Sequence, residues 1–194
     1  RKKPFRFDSG ILSPVYVDNR ILISYPKERN IVLNSILSLI KKKVRPFDVV
    51  AGVATAGIPH AAWIAHKLNL PMIFVRAKPK EHGQGNAVEG SLKRGQKVLV
   101  VEDLISTAGS AKRVTEAIRT LGGKVTDLIA IYTHNLKESE VNLKSAKVNL
   151  YYLTDTKTTA QLAKQSGFLN QQQVDTILDW VKDPKNWGKK MGYE

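Results

Sequence analysis

Apolar residues fall in short blocks along the chain, and the blocks alternate between two periods. Residues 48–53 (DVVAGV), 71–76 (PMIFVR), 97–101 (KVLVV), 125–132 (VTDLIAIY) and 148–153 (VNLYYL) are brief runs rich in β-branched residues, which predicts buried strands. Between them the period lengthens. Residues 29–43 place Ile31, Ile36, Leu39 and Ile40 on one side and end on Lys41–Lys43, where a helix dipole favours cations. Residues 57–69 (GIPHAAWIAHKLN) read as a second helix. Residues 109–121 form a third, with Val114, Ala117, Ile118 and Leu121 on one stripe and Gly122 and Gly123 as its stop. A last helix is expected at 170–182, ending before Pro184. Short apolar strands separated by helices predict an α/β fold with a mostly parallel central sheet flanked by helices.

Residues 77–95 (AKPKEHGQGNAVEGSLKRG) break this rhythm, with four glycines, a proline and no apolar stripe. A structureless stretch of that length in a compact domain is uncommon unless it is functional. The plainer reading is a surface hairpin. No repeat, low-complexity tract or interdomain linker appears, so 1–194 reads as one domain.

Composition removes several chemistries. The absence of Cys excludes disulfides, thiolate nucleophiles and Cys-ligated zinc, and suits a cytoplasmic protein. The least charged run, 49–65, is interrupted by Gly52, Thr55, Gly57, Pro59 and His60 and is no membrane span. The start, RKKPFRFDSG, is basic but has no apolar segment behind it, so it does not read as a signal peptide. It opens without a Met, as a chain begun inside a longer protein would. The net charge of +14, from 31 Lys and Arg against 17 Asp and Glu, suits an anionic partner such as a phosphorylated metabolite, or simply a Lys-rich surface. The lysines are scattered and not interleaved with aromatics, so nucleic acid is not expected as a partner.

The chemistry concentrates at 98–110, VLVVEDLISTAGS. With VLVV as a parallel strand and GSAKRVTEAIRTL as the next helix, the intervening loop lies at the carboxyl end of the sheet, where open α/β folds bind ligands. Backbone N–H groups of 106–110, entering the helix, make an anion site, and Ser106, Thr107 and Ser110 add hydroxyls. The string lacks the Gly-Lys-Ser/Thr ending of an ATP-type loop. Glu102 and Asp103 would repel a phosphate, so they suit sugar hydroxyls beside it or a metal carried by the substrate. The bland alternative is a pair of acids favourable to a helix N-terminus.

VVEDLISTAGS resembles the signature loop of the type I phosphoribosyltransferases, which bind phosphoribosyl pyrophosphate. FRFDSGILSPVYVDNR (5–20) is similar to the N-terminal segment of the orotate phosphoribosyltransferases, VRAKPKEHGQGNAVEG (75–90) to their mobile catalytic loop, and VATAGIP (53–59) to their pyrophosphate loop. The likeness covers roughly 5–133 strongly and thins beyond. It implies the type I phosphoribosyltransferase fold, with a small N-terminal hood over 5–25 and a flexible loop over 77–95. It implies that orotate and phosphoribosyl pyrophosphate give orotidine 5-monophosphate and pyrophosphate, with Mg2+ carried by the substrate near Glu102 and Asp103 and no direct protein ligation. Phosphoribosyl pyrophosphate would be held by Arg76, Lys78, Lys80, His82 and residues 102–110 (Glu102, Asp103, Leu104, Ile105, Ser106, Thr107, Ala108, Gly109, Ser110). Thr55, Ala56 and Gly57 would form the pyrophosphate loop, and Tyr16, Val17 and Ser106 would meet orotate. Lys80, His82 and Asp103 are the implied catalytic residues. A homodimer is implied, each mobile loop completing the neighbouring site. Alternatives are a phosphoribosyltransferase for another base, and a non-enzymatic sensor of phosphoribosyl pyrophosphate that binds nucleic acid.

The chain departs from the family pattern at several points. Ala77 and Ala56 stand where some members carry Lys, and YTHNLK (132–137) lacks an Arg that some members aim at orotate. Ala108 replaces a common Gly. Tyr16 either stacks near the base or packs in the core. Arg20 either pairs with Asp18 or meets a second subunit. His60 and His66 read as ordinary helix residues, and His134 either lines the base pocket or occupies a turn.

Overall fold

The computed structural model describes residues 3–7, 10–76 and 87–193. Its centre is a six-stranded sheet formed by β3 (Val49–Val53), β4 (Met72–Val75), β5 (Val88–Glu89), β6 (Lys97–Ile105), β7 (Lys124–Thr133) and β8 (Asn149–Asp155), in the order β5-β4-β3-β6-β7-β8. All neighbours are parallel except β5, which lies antiparallel on β4 at the edge. This is the mostly parallel α/β sheet expected from the alternation of periods.

Four helices cover the two faces of this sheet. α1 (Pro26–Lys43) and α2 (Gly57–Leu68) cover one face, where Leu33, Ile36, Ala61 and Ile64 pack on Val50, Leu99, Val101 and Ile129. α3 (Gly109–Thr120) and α4 (Lys137–Ala146) cover the other, where Val114, Ile118 and Leu143 meet Val49, Ala51, Val100 and Leu128. Every residue of β3 is buried, as a strand covered on both faces must be. The α3 stripe runs Ala111, Val114, Thr115, Ile118, the i, i+3, i+4, i+7 pattern of a core-facing helix. Gly122, at φ +85°, then turns the chain into β7.

α5 (Thr156–Gln165) follows β8, and Asp155 caps it by accepting from the Thr158 N–H at 2.8 Å. The expected helix at 170–182 is α6 (Gln171–Lys182), closed at its start by an Asn170–Gln173 capping box. It is not the last helix. Pro184 occupies the first turn of α7 (Pro184–Lys190), a position whose missing N–H leaves no helical bond unmade. The first helix likewise begins at Pro26, three residues before the periodic pattern.

The N-terminal hood contains β1 (Phe5–Arg6) and β2 (Leu12–Ser13), paired antiparallel, then a 3-10 helix at Asn19–Ser24. The C-terminal helices complete it. Trp180 is fully buried with Leu12, Leu136 and Trp187, and its Nε1 donates to the Leu12 carbonyl at 2.9 Å. Gly188 packs so tightly that a Cβ there would lie 2.7 Å from Leu12 Cδ1. Among the described residues no helix is long and apolar enough to cross a membrane.

Candidate active site

The strand order fixes where a ligand can sit. From β3 the chain runs through α2 to β4 on one side; from β6, the neighbour of β3, it runs through α3 to β7 on the other. The two connections diverge and leave a crevice at the carboxyl ends of β3 and β6. A cavity of about 280 Å³ lies there, lined by Val53–Ala56 and by Glu102–Ala111.

Two helices point their N-termini at this crevice. α2 starts after Ala56 and α3 after Ala108; neither has a side-chain cap, and neither carries an acid in its first turn. Uncapped N–H groups and two positive dipole ends therefore face one space, which suits two anionic groups held close together. Gly57 makes the approach of the two loops possible: a Cβ there would lie 2.5 Å from the Val101 carbonyl oxygen. It does not line the cavity, whereas Thr55 and Ala56 do. The Ala54–Thr55 peptide bond is cis.

β6 extends four residues past the apolar run, to Ile105, so both acids belong to the strand itself. Glu102 is 7% exposed and Asp103 half-buried. Burial, reinforced by the Asp103 carboxylate, pushes the Glu102 carboxyl well above the usual carboxylate range. Burial also raises Asp103, opposed by its hydrogen bonds to Glu102 and to the Leu104 N–H. Hydroxyl donors or a cation would relieve both. Ile105 is core, so any ligand contact there is through its backbone.

A second cavity, of about 570 Å³, adjoins the first. Ala56, Asp103, Leu104, Ser106, Thr107 and Ser110 border both, while Glu102 borders only the first. The second cavity's further lining is Arg6, Phe7, Tyr16, Val17, Asp18 and Arg20 from the N-terminal segment, together with His134. Tyr16 is 48% exposed, which removes the core reading, and its ring lies 5.3 Å from Phe5. Arg20 is held by Asp18 at 2.6 Å and donates to the Tyr16 hydroxyl at 2.8 Å, the ion-pair alternative. His134 is buried and lines the cavity. His60 is buried in α2 away from it, and burial pushes its imidazole down to about 4.

Arg76 directly follows β4, pairs with Glu89 at 2.9 Å and lines a smaller cavity of about 110 Å³ with Ala54, Ser110 and Arg113. Lys78, Lys80 and His82, with residues 77–86 of the expected 77–95 loop, lie outside the described residues; the rest of that stretch is not all loop, since Val88–Glu89 pairs with β4 as β5.

Three supports escaped the sequence reading. Asn19 donates to the Asp103 carbonyl at 2.8 Å. Asn142 donates to the Thr107 carbonyl, also at 2.8 Å. Arg113 donates to Ser110 Oγ at 3.0 Å. Only Arg113, one helical turn from Ser110, had a local signal. Ala108 adopts φ +61°, ψ +15°, a left-handed conformation that explains why Gly is common there.

Comparison with known proteins agrees with this geometry. A family model described as the phosphoribosyl transferase domain matches residues 28–151. The orotate phosphoribosyltransferase of Coxiella burnetii is 48% identical over 185 residues, covering 95% of this chain and 88% of that protein. That of Listeria monocytogenes is 43% identical over 187 residues, covering 96% and 90%. Among solved structures, the orotate phosphoribosyltransferase from Aeropyrum pernix superposes with a TM-score of 0.74 at 29% identity, over 86% of this chain and 92% of that one.

Proposed function

The chain belongs to the phosphoribosyltransferase family, among the orotate phosphoribosyltransferases, and on that premise we propose that it transfers the phosphoribosyl group of phosphoribosyl pyrophosphate to orotate by the division of labour described next. The products are orotidine 5-monophosphate and pyrophosphate, placing the enzyme in pyrimidine nucleotide synthesis. The observation that carries the reading is the crevice itself: two uncapped helix N-termini and two acids border one cavity that opens onto an aromatic-walled second.

The α3 N-terminus, with Ser106, Thr107 and Ser110, holds the 5-phosphate through N–H and O–H donors. Thr55, Ala56 and the α2 N-terminus hold the pyrophosphate. Asp103, which borders both cavities, and Glu102 accept hydrogen bonds from the ribose hydroxyls between them. Mg2+ arrives with the substrate and would lie near Glu102 and Asp103 without direct ligation by the protein. Orotate occupies the second cavity against Tyr16, Val17 and Ser106.

Bond breaking leaves positive character on the sugar carbon and negative charge on the departing pyrophosphate. Arg76, Lys78 and Lys80 stabilise that charge, and His82 hydrogen-bonds or protonates it. Closure of the 77–95 loop over the crevice excludes water and limits hydrolysis. A cytoplasmic homodimer, each loop serving the neighbouring site, completes the reading.

The test is to mix the protein with Mg2+, phosphoribosyl pyrophosphate and orotate and follow orotate absorbance. Loss of signal dependent on all components is expected. No loss, with turnover of uracil or a purine instead, would reassign the base.

A further inference from the structure

The inner wall of the base-side cavity has no role in the mechanism above, and His134 occupies it. Its backbone N–H donates to the Ile105 carbonyl at 2.9 Å, which ties it to the end of the strand that carries the acid pair. Only 2% of the residue is exposed, yet it borders the cavity that Tyr16, Val17 and Ser106 also line.

The ring is fixed from several sides. Phe7 stacks on it at 6.0 Å, and Trp180 and Tyr132 meet it edge-on at 5.0 and 5.5 Å. Nδ1 lies 2.9 Å from Thr156 Oγ1, the first residue of α5. The Tyr132 hydroxyl donates to that same oxygen at 3.1 Å. Thr156, which accepts from Tyr132, keeps its own proton available for Nδ1, the arrangement that puts the imidazole N–H on Nε2. The one side-chain hydrogen bond of the ring is at Nδ1, which leaves Nε2 available, and the residue borders the cavity. Burial pushes the imidazole down to about 4, so at neutral pH it is an uncharged donor.

A buried ring at a cavity wall, held by three aromatics and one hydroxyl with one nitrogen left available, is suited to serve as a preorganised hydrogen-bond donor. The cations on the same cavity are differently placed. Arg20 is engaged by Asp18, and Arg6 donates to the Gly10 carbonyl. We propose that His134 is a specificity-determining residue, its Nε2–H donating to the carboxylate of the orotate ring, with Thr156 as the positioning residue that selects the tautomer. This rests on the orotate reading and adds the contact that distinguishes orotate from a pyrimidine lacking the acid group.

His134→Phe keeps the ring and removes the donor. Steady-state kinetics with each substrate varied, titration calorimetry with phosphoribosyl pyrophosphate, and thermal unfolding are run on wild type, His134→Phe, His134→Gln and Thr156→Val. A lost hydrogen bond to a charged group predicts that His134→Phe raises KM for orotate about tenfold. It should narrow the orotate-over-uracil preference by a similar factor and leave affinity for phosphoribosyl pyrophosphate within about twofold. His134→Gln recovers part of the loss, and Thr156→Val raises KM for orotate alone. An unchanged orotate KM in folded His134→Phe overturns the assignment, as does an equal loss for both substrates, the signature of a merely structural ring. Should His134 variants not fold, Thr156→Val decides alone, and an unchanged orotate KM there is equally fatal. If the wild type turns over no orotate, the parent reading fails. The variants are then measured with the accepted base, and an unaltered KM for it removes His134 from base recognition.

Discussion

Asn19 donates its side-chain amide to the backbone carbonyl of Asp103 at 2.8 Å, a bond spanning 84 residues of sequence. It joins the N-terminal segment to the strand end that carries both acids, so the wall that bears Tyr16 and the Glu102–Asp103 pair share one anchor. Asn19→Leu removes this bond and leaves the carbonyl unpaired. One net hydrogen bond is worth about 1 kcal/mol, so KM for phosphoribosyl pyrophosphate should rise roughly fivefold. Initial-rate measurements check this, and a KM within error of wild type would show that Asp103 is held by β6 alone.

Glu102 is buried at a cost in stability. Its folded pKa is raised, so the native state holds a proton that the unfolded chain releases near 4.5. Stability is therefore lost as pH rises from about 4.5 through the folded pKa, the opposite of a salt-bridged acid. Glu102→Gln should match wild type near pH 4.5 and be more stable at pH 8. The gain is about 1–3 kcal/mol, or roughly 3–10 °C in Tm. Affinity for phosphoribosyl pyrophosphate should fall about tenfold in the same protein. Melting curves across pH with calorimetric titration test both halves; a variant less stable than wild type at pH 8 contradicts the argument.

His60 works in the other direction. Its Nε2 has no partner among the described residues, and its pKa is pushed down to about 4 from 6.5. The native state keeps the ring neutral, so its contribution is intact above pH 6.5 and is lost as pH falls toward 4. Over that window the ring should cost the fold up to about 3 kcal/mol. His60→Leu should flatten the acid side of the stability profile without changing turnover at pH 8. Identical slopes in the two proteins would remove His60 from the acid response.

Ala108 holds φ +61° at the start of α3. Ala108→Gly relieves about 1 kcal/mol of strain but gives up a buried methyl and adds freedom to the unfolded chain. The two effects nearly cancel, so urea midpoints should differ by less than about 1 kcal/mol. Ala108→Val adds a branched Cβ to the same conformation and should destabilise by about 2 kcal/mol or more while weakening phosphate binding. Equal midpoints for all three proteins would mean that the turn relaxes freely.

Periodicity predicted β3, β4, β6, β7, the half-buried edge strand β8 and the helices α1, α2, α3 and α6 from their apolar stripes and runs. It stopped β6 at Val101, since carboxylates are foreign to an apolar strand; parallel pairing of Glu102 with Ala130 and of Leu104 with Tyr132 carries the strand on. α4 and α5 are short and half-exposed, and α7 hides behind a proline that looked like a stop. The acid pair and its anion loop were legible because they are contiguous. Asn19, Asn142 and the Phe7–His134–Trp180 cluster were not, since partners 35 to 84 residues apart, or at opposite ends of the chain, leave no local pattern.

The hydrogen bond from Trp180 to Leu12 fastens the two ends of the polypeptide across 168 residues. The segment that carries Tyr16 and Val17 to the cavity wall is thus braced by α6 and α7, none of whose described residues borders that cavity. Substitutions in these helices can therefore shift the wall without touching whatever it meets, so the far end of the sequence acts on the site as a lever and not as a surface.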